Sequence, residues 1–310
     1  MILTVTPNTA LDEVLELAHY VPGERLNILR ETLCIGGKGN LASAFAVDLG
    51  ARSVSLAFAA GENGRRLARM LRERGVRADL SPARGETRRI RVIVDEERHA
   101  QTWLVPETLR VTRAAERDLE TRAARWIPKA GWLALCGSLP AGCSPHLYRR
   151  LARWARESAV PVLIDSRGAP LAHSLAAQPE VVRLNKAELQ QTLGQPIPNL
   201  PSVLAALRRL LAEGIQLVVC SLGADGAVAV TSEGGWRAVP PKIVQRSSAG
   251  SGDAFTAALL VWREKGADWP EALRWATAAG TTKAQEARTD HSLDLRRVQA
   301  ACRRVRLNRL

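Results

Sequence analysis

Short apolar runs alternate with amphipathic stretches along most of the chain. The apolar runs have the length and the β-branched content of buried strands, and they cover residues 2–6, 54–59, 132–136, 160–164, 181–184 and 217–221. Between them, apolar residues recur at helical spacing over residues 41–49, 64–74, 146–157, 200–213 and 252–265. This alternation predicts a three-layer α/β/α fold with a mainly parallel central sheet. Ligands in such folds bind at the carboxyl ends of the strands.

Two stretches depart from this pattern. Residues 15–33 and 87–105 alternate apolar and polar positions with no helical stretch between them, most clearly over residues 89–94. They predict two strand pairs, inserted at about residues 12–34 and 87–105, that form a small β-sheet lid. Because no repeat or low-complexity linker interrupts the chain, we expect a single α/β domain over residues 1–310.

Composition narrows the class of protein. The apolar fraction of 46% can fill a large core, and no apolar run approaches the roughly 20 residues needed to span a bilayer. The first residues carry neither the basic segment nor the cleavage site of a signal peptide. The five cysteines form no CxxC pair, which favours a reducing, cytoplasmic setting over a disulfide framework or a zinc site. We therefore expect a cytoplasmic protein with no membrane partner.

The chain is strongly basic, with a formal charge of +13, and only six of its 44 basic residues are lysines. The arginines are spread over many predicted helix faces, and no helix-turn-helix, zinc motif or aromatic platform accompanies them. We therefore expect no nucleic-acid partner. The charge indicates either a solvated arginine-rich surface or a weak attraction for anionic substrates.

Small residues precede the predicted helix at residues 252–265. Their backbone amides can approach an anion closely, and the start of a helix adds free N–H groups and the positive end of its dipole. Asp253 would lie in the first helical turn beside this anion hole. A carboxylate base next to an anion hole is what phosphoryl transfer to a hydroxyl requires. Ordinary capping by Ser251 or Asp253 is the alternative.

Three further motifs precede or follow predicted elements. Gly36-Gly37-Lys38-Gly39 precedes a helix. It is not a P-loop, because Gly39 stands where a P-loop has the Ser or Thr that binds magnesium. The glycine cluster forms either a surface for the substrate or a tight turn. Asn185 and Glu188 follow a strand and could either organise hydrated magnesium or form a capping box. Residues 221–226 could form a nucleotide loop or a hairpin turn.

Together and in this order, the motifs resemble those of the ribokinase-like family, specifically its phosphofructokinase-B carbohydrate kinases. The family members that the motifs resemble include 1-phosphofructokinase, tagatose-6-phosphate kinase and the minor 6-phosphofructokinase. The resembling segments are residues 1–12, 36–39, 87–88, 137–142, 163–166, 185–188, 221–226 and 250–253. The resemblance therefore covers nearly the whole chain, and it is specific because eight motifs occur in the same order.

The resemblance implies a carbohydrate kinase that uses ATP and Mg²⁺ and takes Asp253 as the general base. It implies the following further roles: an anion hole at Ala249, Gly250, Ser251 and Gly252; sugar binding by Asp12, Gly36, Gly37 and Lys38; contacts with a phosphate already on the sugar by Arg88 and Ser138; nucleotide binding by Ser221, Gly223 and Gly226; and magnesium binding, through water, by Asn185 and Glu188. The implied substrate is a sugar phosphate, most closely a ketohexose phosphate.

Two other functions stay open. The chain could phosphorylate an unphosphorylated sugar or a nucleoside, although the presence of Arg88 and Ser138 argues against this. It could also be a catalytically silent regulator that binds sugar phosphates, although such a protein would not need Asp253. An exposed edge of the lid sheet could pair between two subunits, so a homodimer through the lid is a further expectation.

The sequence departs from the family pattern in the sugar pocket. Leu41 stands where the family has an Asn, with Asn40 one position earlier, and Ile90 replaces a second Asn. We therefore expect a complete catalytic apparatus beside an altered sugar pocket.

Overall fold

The computed structural model describes residues 1–98 and 100–310. Its strands, in chain order, are β1 (Ile2–Thr6), β2 (Ala10–Leu17), β3 (Arg30–Gly36), β4 (Ser53–Ala59), β5 (Arg77–Pro82), β6 (Arg84–Gly85), β7 (Arg88–Asp95), β8 (Ala100–Leu104), β9 (Leu109–Arg110), β10 (Trp132–Cys136), β11 (Val162–Asp165), β12 (Val181–Asn185), β13 (Leu217–Ser221), β14 (Ala227–Thr231), β15 (Gly234–Val239) and β16 (Arg306–Arg309).

The helices are α1 (Lys38–Asp48), α2 (Gly61–Glu73), α3 (Arg113–Trp126), α4 (Leu147–Glu157), α5 (Gly168–Leu175), α6 (Lys186–Leu193), α7 (Leu200–Leu211), α8 (Ser251–Glu264), α9 (Trp269–Ala284) and α10 (Leu295–Cys302). Short 3₁₀ turns cover Ile127–Lys129 and Gly223–Asp225. In the described part of the chain, no helix combines the length and the apolar character that crossing a membrane requires.

A ten-stranded sheet forms the middle layer, in the order β16-β15-β14-β13-β12-β11-β10-β1-β4-β5. All neighbours from β13 to β5 pair in parallel, and β14, β15 and β16 extend the sheet with antiparallel pairs. Side chains of each strand alternate between two cores: Ile2 packs into one, whereas Leu3 and Val5 pack into the other. The first core is shared with α1, α2, α8, α9 and α10, and the second with α3 to α7. The predicted three-layer fold is therefore confirmed.

A second, four-stranded sheet has the order β3-β2-β7-β8. Strands β2 and β7 are parallel, and their outer partners β3 and β8 are antiparallel to them. The predicted small sheet is thus present. Strands were wrongly predicted over residues 18–29, which lie between β2 and β3, and the Pro22-Gly23 turn signal explains this interruption. Strands β6 and β9 form a separate two-stranded pair.

Candidate active site

A cavity of about 760 Å³ lies where the carboxyl ends of β12 and β13 meet the small sheet and the N-terminus of α8. Asn185 and Ser221 line it from the ends of the two parallel strands. Asp12 and Arg88 line it from the small sheet, and Asp253 lines it from the first turn of α8. This is the edge of the sheet at which the β-α alternation predicts ligand binding.

The loop before α8 turns sharply at Gly250, the N-cap of the helix. Gly250 has a φ of 78°, and a Cβ at this position would lie 2.3 Å from the carbonyl oxygen of Thr289. Only glycine combines this left-handed backbone with so close an approach. The first N–H groups of a helix have no acceptor within it, so the amides at the start of α8 are suited to an anion in the cavity. Two amides of the loop already have acceptors: Ser251 N donates to the Ser248 carbonyl oxygen at 3.2 Å, and Ala249 N donates to Ser247 Oγ at 3.1 Å. Ala249, Ser251 and Gly252 line the same wall.

Two buried carboxyl groups face this cavity, Asp253 on α8 and Asp12 on β2. Burial raises the pKa of Asp253 to about 7, and the negative charge of Asp165 adds to the shift. Burial also raises the pKa of Asp12 to about 8, with a contribution from Asp253. A carboxyl with a pKa near neutrality can both take up and release a proton at physiological pH.

The backbone approaches Asp12 closely at Gly36, where a Cβ would lie 2.3 Å from the Asp12 Oδ1. Gly36 itself does not line the cavity, whereas Gly37, the N-cap of α1, and Lys38 do. Gly36 therefore allows the loop before α1 to lie against the Asp12 carboxyl.

An ion-pair network lies beside the cavity. The Lys38 Nζ donates to Asp165 Oδ1 at 2.6 Å and to Glu188 Oε1 at 2.7 Å. Arg183 Nη1 donates to the other Asp165 oxygen at 3.2 Å, and its Nη2 donates to Ser221 Oγ at 2.8 Å. Burial opposes the charge on Lys38, but the carboxylates of Asp165 and Glu188 outweigh it and raise the pKa of Lys38 above its ordinary value. The network therefore positions two cations beside the loop before α8, and the two carboxylates balance their charge.

Arg183 was not among the predicted site residues. It occupies a buried strand, and the strand pattern gave no separate signal for it. A Cβ on Gly252 would lie 2.7 Å from Arg183 Nη2, so the guanidinium packs directly against the loop before α8. The charged residue within the apolar run at residues 181–184 is the signal that could have identified it, because an unpaired buried arginine is unfavourable.

Asn185 and Glu188 form a capping box at the start of α6. Glu188 N donates to Asn185 Oδ1 at 2.8 Å, and Asn185 N donates to Glu188 Oε2 at 3.0 Å. Asn185 lines the cavity, whereas Glu188 lies behind it with one carboxylate oxygen bonded to Lys38 and the other to Asn185 N. Within residues 1–98 and 100–310, no group of three His, Cys, Asp or Glu residues is arranged to hold a metal. The donor set thus fits magnesium that keeps its waters and binds mainly to phosphate oxygens.

Arg88 lines the cavity from strand β7 of the small sheet, whereas Asn185 lines it from strand β12 of the large sheet. Its Nη2 donates to the Asn8 carbonyl oxygen at 2.9 Å and its Nε to the Thr9 carbonyl oxygen at 3.3 Å. Asn8 Nδ2 in turn donates to Ser138 Oγ at 3.0 Å. Asn8 therefore connects Arg88 with Ser138, and Ser138 itself is not part of the cavity lining.

The faces of β7 follow the predicted alternation. Arg88 and Ile90 line the cavity, whereas Arg89 and Arg91 form ion pairs with Glu13. Arg88 thus points to one face of β7, whereas Arg89 and Arg91 point to the other.

Residues 221–226 connect β13 and β14 as a hairpin, and they also line the cavity through Ser221, Gly223 and Gly226. Gly226 has a φ of 90°, and a Cβ there would lie 1.9 Å from the Ala238 carbonyl oxygen. The segment is therefore a hairpin turn that also contributes to the cavity lining, and its role in nucleotide binding stays a prediction. Residues 240–243, after β15, complete this end of the cavity and were not predicted.

One wall of the cavity is apolar. Leu41 and Ile90 line it together with Trp103 of β8, which the sequence did not single out. Asn40 is fully buried elsewhere, with its Nδ2 2.6 Å from Thr9 Oγ1 and its Oδ1 accepting from Ser55 Oγ. The asparagine therefore supports the loop and does not substitute for a side chain at position 41.

Of the predicted site residues, all but Gly36, Ser138 and Glu188 line this one cavity. A carboxyl group with a pKa near 7, a helix N-terminus and two nearby cations form a site suited to transferring a phosphoryl group to a hydroxyl.

The comparisons with known proteins agree with this class of chemistry. The profile of the pfkB family carbohydrate kinases matches residues 6–296. The 1-phosphofructokinase of Rhodobacter capsulatus is 34% identical over 281 residues, covering 89% of this chain and 88% of the relative. The 1-phosphofructokinase of Escherichia coli K12 is 30% identical over 260 residues, covering 84% and 83%.

Solved structures show the same fold. Phosphofructokinase-2 from Escherichia coli, in complex with substrates and products, superposes with a TM-score of 0.89 at 26% identity over 97% of this chain and 98% of that one. A possible 1-phosphofructokinase from Thermotoga maritima superposes with a TM-score of 0.92 at 24% identity, over 100% of this chain and 99% of that one.

The chain belongs to the pfkB family of carbohydrate kinases. It is accordingly a phosphotransferase that acts on a sugar hydroxyl, with ATP and Mg²⁺ as the phosphoryl donor system.

Proposed function

We propose that this kinase transfers the γ-phosphoryl group of ATP to a ketohexose phosphate, with fructose 1-phosphate as the preferred acceptor. The observation that carries the proposal is the position of Arg88, whose guanidinium lines the cavity beside Asn8 and Ser138. A fixed guanidinium at the sugar side of the cavity suits a phosphate that the sugar already carries. The names of the 1-phosphofructokinase relatives support the same substrate class.

In the proposed reaction, Asp253 accepts the proton of the sugar hydroxyl as its oxygen attacks the γ-phosphorus. The bond between the γ-phosphorus and the bridging oxygen breaks, and ADP leaves with that oxygen. The loop of Ala249, Gly250, Ser251 and Gly252 stabilises the charge on the transferred group with backbone amides. Asp12 orients the acceptor sugar, because its carboxyl lies beside Asp253 in the same cavity.

We assign the nucleotide to the end of the cavity formed by Ser221, Gly223 and Gly226. Asn185 and Glu188 would hold magnesium through water, and Lys38 fixes the orientation of the Glu188 carboxylate. When bound, magnesium neutralises charge on the triphosphate. Because both Glu188 oxygens already have protein partners, the carboxylate acts by its charge and by ordering water.

The small sheet acts as a lid in this proposal, within a single kinase domain that covers residues 1–310. Its strands β2, β7 and β8 supply Asp12, Arg88 and Trp103 to the cavity. Strands β3 and β8 are the edges of this sheet, and apolar residues are exposed next to them: Ile28, Leu29, Trp103, Leu104 and Val105. We infer that two copies of the chain associate through this surface, which we call the lid edge.

An acceptor screen tests the substrate. ADP release should be fastest with fructose 1-phosphate, when compared with fructose 6-phosphate, tagatose 6-phosphate, free hexoses and nucleosides. Arg88→Ala should lower kcat/KM for the preferred phosphosugar by roughly 10- to 150-fold, the effect of losing one charge-assisted hydrogen bond. Arg88→Lys should recover only part of this loss, because lysine lacks the bidentate fork.

Arg89→Ala is the matched control, since Arg89 lies on the same strand and pairs with Glu13 on the other face. It should leave the ratio of phosphosugar to free-sugar activity unchanged. Equal losses for phosphorylated and free sugars in Arg88→Ala would show that Arg88 does not contact the phosphate, and faster turnover of a free hexose or a nucleoside would replace the proposed substrate.

A further inference from the structure

Lys283, near the end of α9, is fully buried, with an exposed fraction of 0%. Its Nζ donates to the backbone carbonyl oxygen of Glu286 at 3.3 Å, and among residues 1–98 and 100–310 no carboxylate forms an ion pair with it. Burial lowers the pKa of Lys283 to about 8. A buried ammonium without an ion-pair partner is costly, and an apolar side chain of similar volume would avoid that cost.

The side chain of Lys283 ends directly behind the anion hole. Its Cε lies 3.2 Å from the position that a Cβ on Gly250 would occupy, and the Thr289 carbonyl oxygen lies 2.3 Å from that same position. Gly250 lines the cavity, whereas Lys283 does not. The N-cap of α8 thus stands between the buried ammonium and the space in which the transferred phosphoryl group would lie.

Two of the acidic groups around Lys283, Glu286 and Asp290, are already engaged with other partners. Glu286 accepts from Arg297 Nη1 at 2.6 Å. Asp290 accepts from Arg288 Nη2 and from Ile35 N, each at 3.0 Å. These groups therefore do not fully neutralise the charge of Lys283, and its field reaches the first turn of α8 through protein of low polarity.

We propose that Lys283 is a positioning residue with a fixed positive charge, which supports the anion hole from behind and stabilises negative charge on the phosphoryl group during transfer. This inference rests on the proposed role of residues 249–252. The charge acts on Gly250 and the amides that follow it, and it holds the loop after α9 against the N-cap through the Glu286 carbonyl. Its effect is largest in the transition state, when charge accumulates on the transferred oxygens.

Lys283→Met tests this role, because methionine fills a similar volume without charge. We expect kcat to fall about 10- to 100-fold, somewhat less than the loss of a direct anion-hole donor, with a smaller change in the KM for ATP. The melting temperature should stay the same or rise, since the variant removes a buried unpaired charge. A purely structural lysine would give the opposite pair of results, a lower melting temperature with an unchanged kcat.

Lys265→Met is the matched control. Lys265 also donates to a single backbone carbonyl, that of Leu49 at 3.3 Å, but it lies at the other end of α8. Its replacement should leave kcat within about twofold of the wild-type value, because the 14 residues of α8 separate it from the site. At 1.5 Å per residue this is about 21 Å, which exceeds the screening length of about 8–10 Å in salt solution.

Two further measurements do not depend on the methionine variant. In Lys283→Ala, ammonium or methylammonium should restore part of the lost kcat, and choline, which is too large for the space, should not. In the wild type, kcat should fall as the pH rises through about 8, because the ammonium then loses its proton. The groups that face Lys283 and influence this titration are Cys34 on β3, Glu286 and Asp290 after α9, and Asp253 on α8.

All of these rates are measured with whichever acceptor the screen identifies as best. A different acceptor would therefore overturn the proposed substrate without affecting the assignment of Lys283. A Lys283→Met enzyme with the wild-type kcat, or a wild-type kcat that stays constant to pH 9.5 in buffers of fixed ionic strength, would overturn the assignment.

Discussion

At the scale of single residues, the chemistry of the site depends on burial. A carboxyl group ordinarily has a pKa of 3.8, and burial raises the pKa of Asp253 to about 7. The same side chain on an exposed helix start would be a weaker base and an ordinary capping residue. The buried environment of Asp253 therefore supports the proposed role of general base over that of a capping residue.

Asp253→Asn should reduce turnover by about 10²–10⁴, because the amide keeps the shape of the side chain but cannot accept the proton. Nucleotide binding should survive. The kcat of the wild type should rise with pH through about 7, as Asp253 becomes charged. Steady-state rates across this range, with binding measured by calorimetry, check both statements, and turnover close to that of the wild type would remove Asp253 from the role of general base.

The same titration predicts a stability effect of defined sign. The folded-state pKa of Asp253 lies above its unfolded value, so its contribution to stability is fully present below the unfolded pKa and is lost as the pH rises through about 7. Asp253→Asn should therefore melt at a higher temperature than the wild type at pH 8, and the two should converge near pH 4. Asp225→Asn, at an exposed position in the turn after β13, is the control for the loss of one carboxylate charge.

At the scale of elements, α6 combines a helix cap with a charged group of the site. Glu188 closes the capping box with one oxygen and binds Lys38 with the other. Glutamine can still accept the bond from Asn185 N, but it carries no charge. A single substitution can therefore separate the electrostatic role of this residue from its structural role.

Glu188→Gln should raise the magnesium concentration needed for half-maximal rate, because a negative charge near the hydrated cation is lost. Asn199→Ala is the control, because Asn199 caps α7 and this helix contributes no residue to the cavity lining. Loss of the Asn199 cap should lower the free energy of unfolding by about 0.5–2 kcal/mol and leave the magnesium titration unchanged. A magnesium titration of Glu188→Gln that matches the wild type would leave Asn185 and Glu188 with the capping role alone.

At the scale of the whole molecule, strand β8 contributes Trp103 to the cavity and exposed Leu104 to the proposed lid-edge interface. We expect a homodimer in sedimentation velocity experiments. Leu29→Glu and Leu104→Glu should each shift it toward the monomer, because a charge would be buried in the interface. Val244→Glu is the control, because Val244 is 80% exposed and lies outside the small sheet. A monomeric wild type, or dimers that survive both lid-edge substitutions, would contradict the proposed interface.

The sequence by itself determined the layered fold, because the period of apolar positions reflects which backbone geometry can bury them. It identified the core strands β1, β4, β10, β11, β12 and β13 in this way. It did not predict α9, in which small and polar residues leave little helical periodicity, or α3, in which apolar positions are sparse. It did locate the loop before α8, because a helix start surrounded by small residues is a local feature.

Only the tertiary structure decided which of these local features act together. Asp12 acquires its raised pKa because the fold buries it beside Asp253, and Arg183 becomes a site residue because β11 brings Asp165 to it. Likewise, Lys283 lies behind Gly250 only because α9 packs against α8. Periodicity and capping arise between near neighbours in the chain, whereas burial and charge interactions depend on segments that are distant in sequence, and no local pattern encodes those distances.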